Sequence, residues 1–300
     1  MRNRATLLLP ILLAGFAALM MPAPASAQSC PPTINACGCA ITAPGSYKIG
    51  VAIDAAQGLT PNGACIEIAS SFVILDAGKK AVTGPGGGSP TGTGIWVRHN
   101  VRSDFLEGRG TAISGWNVGL LIEGTQIVAD SFIANTNGIA GVELNRAQDV
   151  ELTNTTASSN LNYGIWVRQS SSNNITNLKT QTNGNIGTYV GCSDIGPISA
   201  GCAGVGPSPG NFIFTGNIAG NSNYGVALDK GAKSSIVTNQ ILGVVLTIRR
   251  TTCSTRTRIA AATNGSPMTR RRPTTRRAAA SNDESITTLK IQGGARTREG

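Results

Sequence analysis

The sequence predicts an all-β protein built as a parallel β-helix solenoid, with coils of about 22–25 residues. Three observations carry this. The pentapeptide Gly-Ile-Trp-Val-Arg occurs twice, at 94–98 and 164–168, with weaker copies between and after. The glycines that open the copies, Gly94, Gly119, Gly141, Gly164, Gly187 and Gly225, step by 25, 22, 23, 23 and then 38 residues. An asparagine pair precedes most of them: Asn135/Asn137, Asn160/Asn162, Asn183/Asn185 and Asn221/Asn223.

Each repeat reads as strand, turn, strand, turn. After the glycine, apolar residues alternate with variable ones, the period of a strand with one buried face. Ile165 and Val167 are expected inside, Trp166 and Arg168 outside. A second short strand alternates in the same way at Val150/Leu152, Phe212/Phe214 and Ile236/Thr238. Asparagine and glycine tolerate left-handed backbone angles and mark the turns. Stacked coils place the asparagines in a hydrogen-bonded ladder. The unit is too short for a crossover helix and lacks the leucine spacing of a leucine-rich repeat.

In chain order, residues 1–27 read as a secretory signal. Arg2 and Arg4 precede the apolar run Leu7–Met20, and Ala25-Ser26-Ala27 is a small-residue cleavage site. No other segment is long and apolar enough to span a bilayer. The expected location is therefore secreted or periplasmic, where cysteines pair. Residues 28–62 form a cap expected to be stapled by Cys30, Cys37, Cys39 and Cys65, with the pairing open. Residues 63–240 are the β-helix, interrupted by an insertion at 191–210. Cys192 and Cys202 bracket that insertion and are expected to close it.

Residues 241–300 look foreign to the repeat. The net charge of +10 is concentrated here: 28–240 hold 11 Lys/Arg against 12 Asp/Glu, and 241–300 hold 12 against 3. The body thus offers no basic patch for nucleic acid. The tail reads either as a genuine basic, disordered segment or as the product of a reading-frame slip. Shifting each codon back by one base lets Ser254–Ser266 read D-E-N-P-N-C-G-S-N-Q-W-F, and lets Ser281–Asp283 give Gln and a stop.

The segments Ile41-Thr42-Ala43-Pro44-Gly45-Ser46-Tyr47-Lys48-Ile49, Cys65-Ile66-Glu67-Ile68 and Phe72-Val73-Ile74-Leu75-Asp76 resemble the opening of secreted β-helix proteins of the pectin-lyase-like superfamily. The later N-x-N-Y-G-[IV] repeats are similar to the same group, which includes periplasmic β-helix proteins of the nitrous-oxide-reductase maturation type. The resemblance covers about residues 41–240 and implies a right-handed coil. It implies little about activity, because this fold hosts lyases, hydrolases, epimerases, adhesins and scaffolds.

Two outward columns are the candidate sites: Trp96, Leu121, Glu143, Trp166, Tyr189, and beside it Arg98, Glu123, Asn145, Arg168, Gly191. Trp166 over Tyr189, with Arg168 and Glu143, is the expected sugar-binding strip, since aromatic faces pack on pyranose rings and charges bond hydroxyls or uronates. The competing reading is that these ladders only cover the solenoid. For catalysis the candidates are His99, Arg98, Glu123 and Glu143, in a lyase or epimerase acting on an acidic glycan. Family lyases hold calcium with several Asp; no D-x-x-D or D-D cluster occurs in any coil, so no cofactor is expected, and the calcium that the resemblance allows has no support in the spacing. The expectation is an exported monomer that binds a polysaccharide or cell-envelope glycan, or serves as a scaffold.

Overall fold

The computed structural model describes residues 27–86, 91–191, 208–228, 232, 235–239, 245–249, 259–261 and 286–290. The alternating segments form an all-β parallel solenoid with two stacked ladders of strands. The first sheet contains Gln28–Ser29, Cys39–Ile41, Ala64–Ile68, Thr93–Val97, Val118–Ile122, Ala140–Asn145, Tyr163–Arg168, Ile186–Gly191, Tyr224–Leu228, Val245–Arg249 and Ile286–Lys290. The second runs through Thr33–Ile34, Gly45–Ile49, Val73–Asp76, Phe105–Ser114, Val128–Ala134, Glu151–Thr153, Asn174–Gln181, Phe212–Ala219, Ile236–Asn239 and Ile259–Ala261. Among these strands only 245–249 and 286–290 pair antiparallel.

The register follows the repeat glycines. Ile66, Ile95, Leu120, Val142 and Ile165 are successive partners, each on its own coil. These side chains and Val97, Leu144, Val167, Val226 and Leu228 are buried in one continuous core. Backbones approach closely where strands enter: a Cβ at Gly94 would lie 2.6 Å from the Gly119 carbonyl oxygen, and one at Gly164 2.5 Å from that of Gly187. Only glycine fits there, which explains the punctuation of the sequence.

The asparagine ladder forms through the asparagine four residues before each repeat glycine. Asn137 Nδ2 donates to Asn160 Oδ1 at 3.2 Å, Asn160 to Asn183 at 3.0 Å and Asn183 to Asn221 at 2.8 Å. Each Oδ1 also accepts the backbone N–H one coil back, as Asn160 does from Asn137 N. At the opposite turn, a second ladder that the sequence reading did not anticipate joins Asn173 to Asn211 and Ser170 to Ser208. Both ladders satisfy turn amides that the sheets cannot reach.

One expectation fails on parity. Ile213 is buried, while Phe212 is 38 % exposed. Phe212 aligns with Asn174 and Ile213 with Ile175, so the inward set is displaced by one residue, which exchanges the two faces.

The N-terminal segment joins the same sheets, Cys39–Ile41 pairing with Ala64–Ile68 and Gly45–Ile49 with Val73–Asp76. Two disulfides, Cys30–Cys39 and Cys37–Cys65, settle the pairing that the sequence left open. The signal segment (save Ala27), the Cys192/Cys202 pair and most of 241–300 lie outside the described residues. From 241–300, strands 245–249 and then 286–290 extend the first sheet, and 259–261 extends the second. No helix among the described residues is long and apolar enough to cross a membrane.

Candidate functional site on the outer face of the first sheet

Both pentapeptide copies lie on this face, and each builds the same three-residue unit. Trp96 is the register partner of Glu67 on the preceding coil, and Trp166 is that of Glu143. In each case the arginine two residues on reaches back to that glutamate: Arg98 Nε lies 3.0 Å from Glu67 Oε1, and Arg168 Nε 2.6 Å from Glu143 Oε1. Each guanidinium also lies over its own indole, at 5.8 Å for Arg98 and 4.5 Å for Arg168. The repeat of the motif is therefore a repeat of an ion pair with a cation–π contact.

The surroundings differ. Around the first copy the site is half open: the Arg98 side chain keeps 44 % of its surface, Trp96 is half-buried and His99 is exposed in the adjoining turn. Trp96 Nε1 donates to Glu123 Oε2 at 2.9 Å, and Asn145 Nδ2 donates to Glu123 Oε1 at 2.7 Å. Asn62 holds both oxygens of Glu67 at 3.0 and 3.1 Å. The result is an indole face fixed at its edge, with a cation on one flank and an amide beyond.

Around the second copy the expected strip assembles but is closed. Trp166 and Tyr189 are register partners, and Arg168 and Glu143 join them as anticipated. They point away from the main core yet are buried: Trp166 is 2 % exposed, Tyr189 1 % and Glu143 3 %. With Ala140, Tyr163, Ile186 and Ala227 they form a second apolar cluster. The Tyr163 ring lies 5.1 Å from Trp166 and 5.7 Å from Tyr189, so the rings pack on one another. The expectation of a solvent-facing aromatic strip is corrected accordingly; Arg168, with 23 % of its side-chain surface open, is its accessible edge.

The catalytic candidates do not converge. Arg98 is engaged by Glu67, Glu123 by Trp96 and Asn145, and Glu143 by Arg168. Among the described residues no group of three or more His, Cys, Asp or Glu is placed to hold a metal ion.

The second sheet carries a feature the sequence reading missed. Asp76, Glu107 and Asp130 stack in one outward column on successive coils. A bulge between Glu107 and Thr111 carries Arg109, whose Nη2 lies 2.9 Å from Glu107 and whose Nε lies 3.4 Å from Asp76. Those contacts, Glu107 foremost, raise the Arg109 pKa. Burial works to raise the Asp130 carboxyl, but hydrogen bonds from Thr153, Ser131 and Asn154 outweigh it and hold it low. The 23-residue step from Glu107 to Asp130 was the readable signal; the longer step from Asp76 concealed the third member.

No protein-family model and no curated protein matches the chain. Among solved structures, the enzymatically active domain of tailspike protein 2 of bacteriophage CBA120 is similar at 14 % identity and a TM-score of 0.43, over 80 % of this chain and 41 % of that one. Full-length tailspike protein 2 from an Escherichia coli O157:H7 bacteriophage is similar at 13 % identity and a TM-score of 0.38, over 76 % and 38 %. The chain thus spans about two fifths of the length of each, and the likeness concerns the fold.

Proposed function

We propose that this is an exported glycan-binding β-solenoid, acting as a surface or periplasmic scaffold, and that its open subsite is the Trp96–Arg98–Glu123 cluster. The carrying observation is the half-exposed Trp96 indole, pinned at Nε1 by Glu123 and flanked by Arg98. An indole held in one orientation offers a sugar ring an apolar face without an ordering cost at binding. Arg98, and the Asn145 amide on the far side of Glu123, supply donors for hydroxyl or carboxylate oxygens. The resemblance to pectin-lyase-like proteins is consistent with a polysaccharide ligand.

The test is a panel of neutral and acidic polysaccharides read for binding to wild type and to Trp96→Ala. The expected result is that one class binds and that the substitution weakens it by about 1–3 kcal/mol. No binding to any member, or binding indifferent to Trp96, would remove the proposal. A lyase or epimerase is the second reading, favoured by the exposed His99 directly after Arg98. Unsaturated or epimerised product in the same panel, lost in His99→Ala, would establish it.

A further inference from the structure

The turn that carries the open subsite ends on a buried acid. Strand Thr93–Val97 leaves the Trp96 unit through residues 98–103, and Asp104 directly precedes strand Phe105–Ser114 of the second sheet. Within this turn Val101 N donates to the Arg98 carbonyl at 3.1 Å. Arg102 N donates to Ser71 Oγ at 3.0 Å, and Ser103 N to the Thr125 carbonyl at 3.1 Å. Asp104 Oδ1 accepts Val73 N of the preceding coil at 2.8 Å, but Oδ2 is buried without a partner. Followed along the register, the same turn place three and four coils on holds Asn173 and Asn211. Each supplies a donor that a carboxylate lacks. Asn173 Nδ2 donates to Asn211 Oδ1 at 2.8 Å. Asn211 Nδ2 donates to the Ser208 carbonyl of its own turn at 2.9 Å and to the Ser170 carbonyl of the preceding coil at 3.0 Å. The carbonyls in those two places around Asp104 belong to Val101 and Ser70.

We propose that Asp104 is a proton-operated latch on the Trp96–Arg98–Glu123 subsite. Protonated, its Oδ2–H donates to the Val101 or the Ser70 carbonyl, as Asn211 Nδ2 does to Ser208 and Ser170, and the turn is held against the stack with Arg98 over Trp96. Ionised, Asp104 is a buried charge with one oxygen unsatisfied. The turn relieves it by opening to water, and Arg98 and His99 leave the indole with it. No neighbouring cation is placed to hold the charge instead. Arg98, His99 and Arg102 lie exposed on the turn itself, and Arg98 is engaged by Glu67. The preceding turn, 69–73, and the following one, 124–127, carry no ionisable group. Glu123, just before the latter, is bonded to Trp96 and Asn145, and Asp76 and Glu107 on the adjoining strands are paired with Arg109. Burial raises the Asp104 carboxyl to about 6. The closed turn therefore holds the proton more tightly than the open one; it is favoured below that value and lost as pH rises through it. Binding at Trp96 is stronger in mild acid than at neutral pH. That the ligand is a glycan rests on the reading above; the latch itself does not.

The test compares wild type with Asp104→Asn in the full chain. Both keep Arg98 and His99, so the titration of those side chains is common to the two. In a nitrogen-labelled wild-type sample the Val73 amide and the Trp96 indole resonances should titrate with one midpoint, while Trp116, which donates to the Val82 carbonyl, stays in place. In Asp104→Asn that shared titration should be absent. Amide exchange at Val73, Val101, Arg102 and Ser103, taken as the ratio of wild type to Asp104→Asn, should rise about tenfold between about pH 5 and about pH 7.5. Over the same range the affinity of wild type, relative to the variant, for whichever of polygalacturonate and a neutral galactan binds should fall about threefold or more. A Trp96 resonance that does not follow Val73, or an exchange ratio flat with pH, overturns the latch. Coincident pH profiles of binding in the two proteins overturn its control of the subsite. Should Asp104→Asn fail to fold, the wild-type resonances carry the test alone. If neither polymer binds while resonances and exchange behave as expected, the latch stands and the glycan reading fails; binding that depends on Trp96 but not on Asp104 does the reverse.

Discussion

The two Gly-Ile-Trp-Val-Arg segments are identical in sequence, strand and register, yet one indole is half open and the other is 2 % exposed. What differs lies just outside the motif, on the neighbouring coils and one residue before the glycine. Trp96 has Leu121 after it in register, and Trp166 has Tyr189. The strand of the first copy begins at Thr93 and that of the second at Tyr163, whose ring packs on Trp166. In a solenoid, then, a motif fixes which way its side chains point, and the coils above and below fix whether they meet solvent.

The shared part of the two copies is the inward pair. Ile95→Asp or Ile165→Asp places an unpaired charge among residues that are fully buried, and either should abolish folding at room temperature, measured as loss of the β-sheet circular dichroism signal. A folded Ile165→Asp protein would break the core assignment.

The next largest effect separates the copies. Trp166→Ala removes a buried ring and should cost about 3–5 kcal/mol of stability. Trp96→Ala should cost about 1–2 kcal/mol, the indole being partly exposed, with its main effect on glycan binding. Chemical denaturation of both variants reads the difference, and equal losses would refute the contrast in packing.

The turns that follow the copies sharpen the comparison further. After the second copy Asn173 Oδ1 accepts from Val150 N at 2.9 Å; after the first, Asp104 Oδ1 accepts from Val73 N at 2.8 Å. Asp104 occupies the asparagine place, but the next coil offers apolar Ile127 there, and Asp104 Oδ2 is buried without a partner. Burial pushes the Asp104 carboxyl up from 3.8 to about 6, against the opposing bonds from Val73 and Phe72. A raised folded-state pKa means that the folded form holds the proton more tightly. The associated stability is present in full below the unfolded value and is lost as pH rises through the folded value. Between about pH 4 and about pH 7, wild type should lose about 2–3 kcal/mol relative to Asp104→Asn, which lacks the titrating group. Parallel pH–stability curves for the two proteins would refute this.

The smallest effect concerns the ion pairs. Glu143→Gln should cost about 2 kcal/mol and Glu67→Gln about 1 kcal/mol, because the Arg168 pair is the less solvated. A larger loss at Glu67 would reverse the comparison.

The legible features were the local ones. The glycine period, the inward Ile165 and Val167 and the asparagine ladder each follow from spacing within one coil and its repetition. The grouping of Trp166, Tyr189, Arg168 and Glu143 was readable too, because a uniform step of 22–23 residues puts them on adjacent strands. Their burial was not, since Tyr163 covers Trp166 from a position that strict alternation does not assign to the same face. The column of Asp76, Glu107 and Asp130 was hidden by unequal steps and by the bulge around Arg109. The parity of Phe212 and Ile213 depended on where the strand resumes after the insertion. The cap pairing depended on which coil Cys65 joins, and four cysteines permit three pairings.

The step from Gly187 to Gly225 is 38 residues, yet Asn183 bonds to Asn221, and Asn173 to Asn211, as if it were 23. The stack is blind to how much chain leaves and returns between Gly191 and Ser208, provided it re-enters in phase. Doubling such a loop costs only about 0.6 kcal/mol. This corner of the solenoid is therefore a port for variation. Segments of different length and chemistry can be exchanged there while the axial repeat stays unaltered, so that lineages of such a protein can vary one corner of it without relearning how to fold.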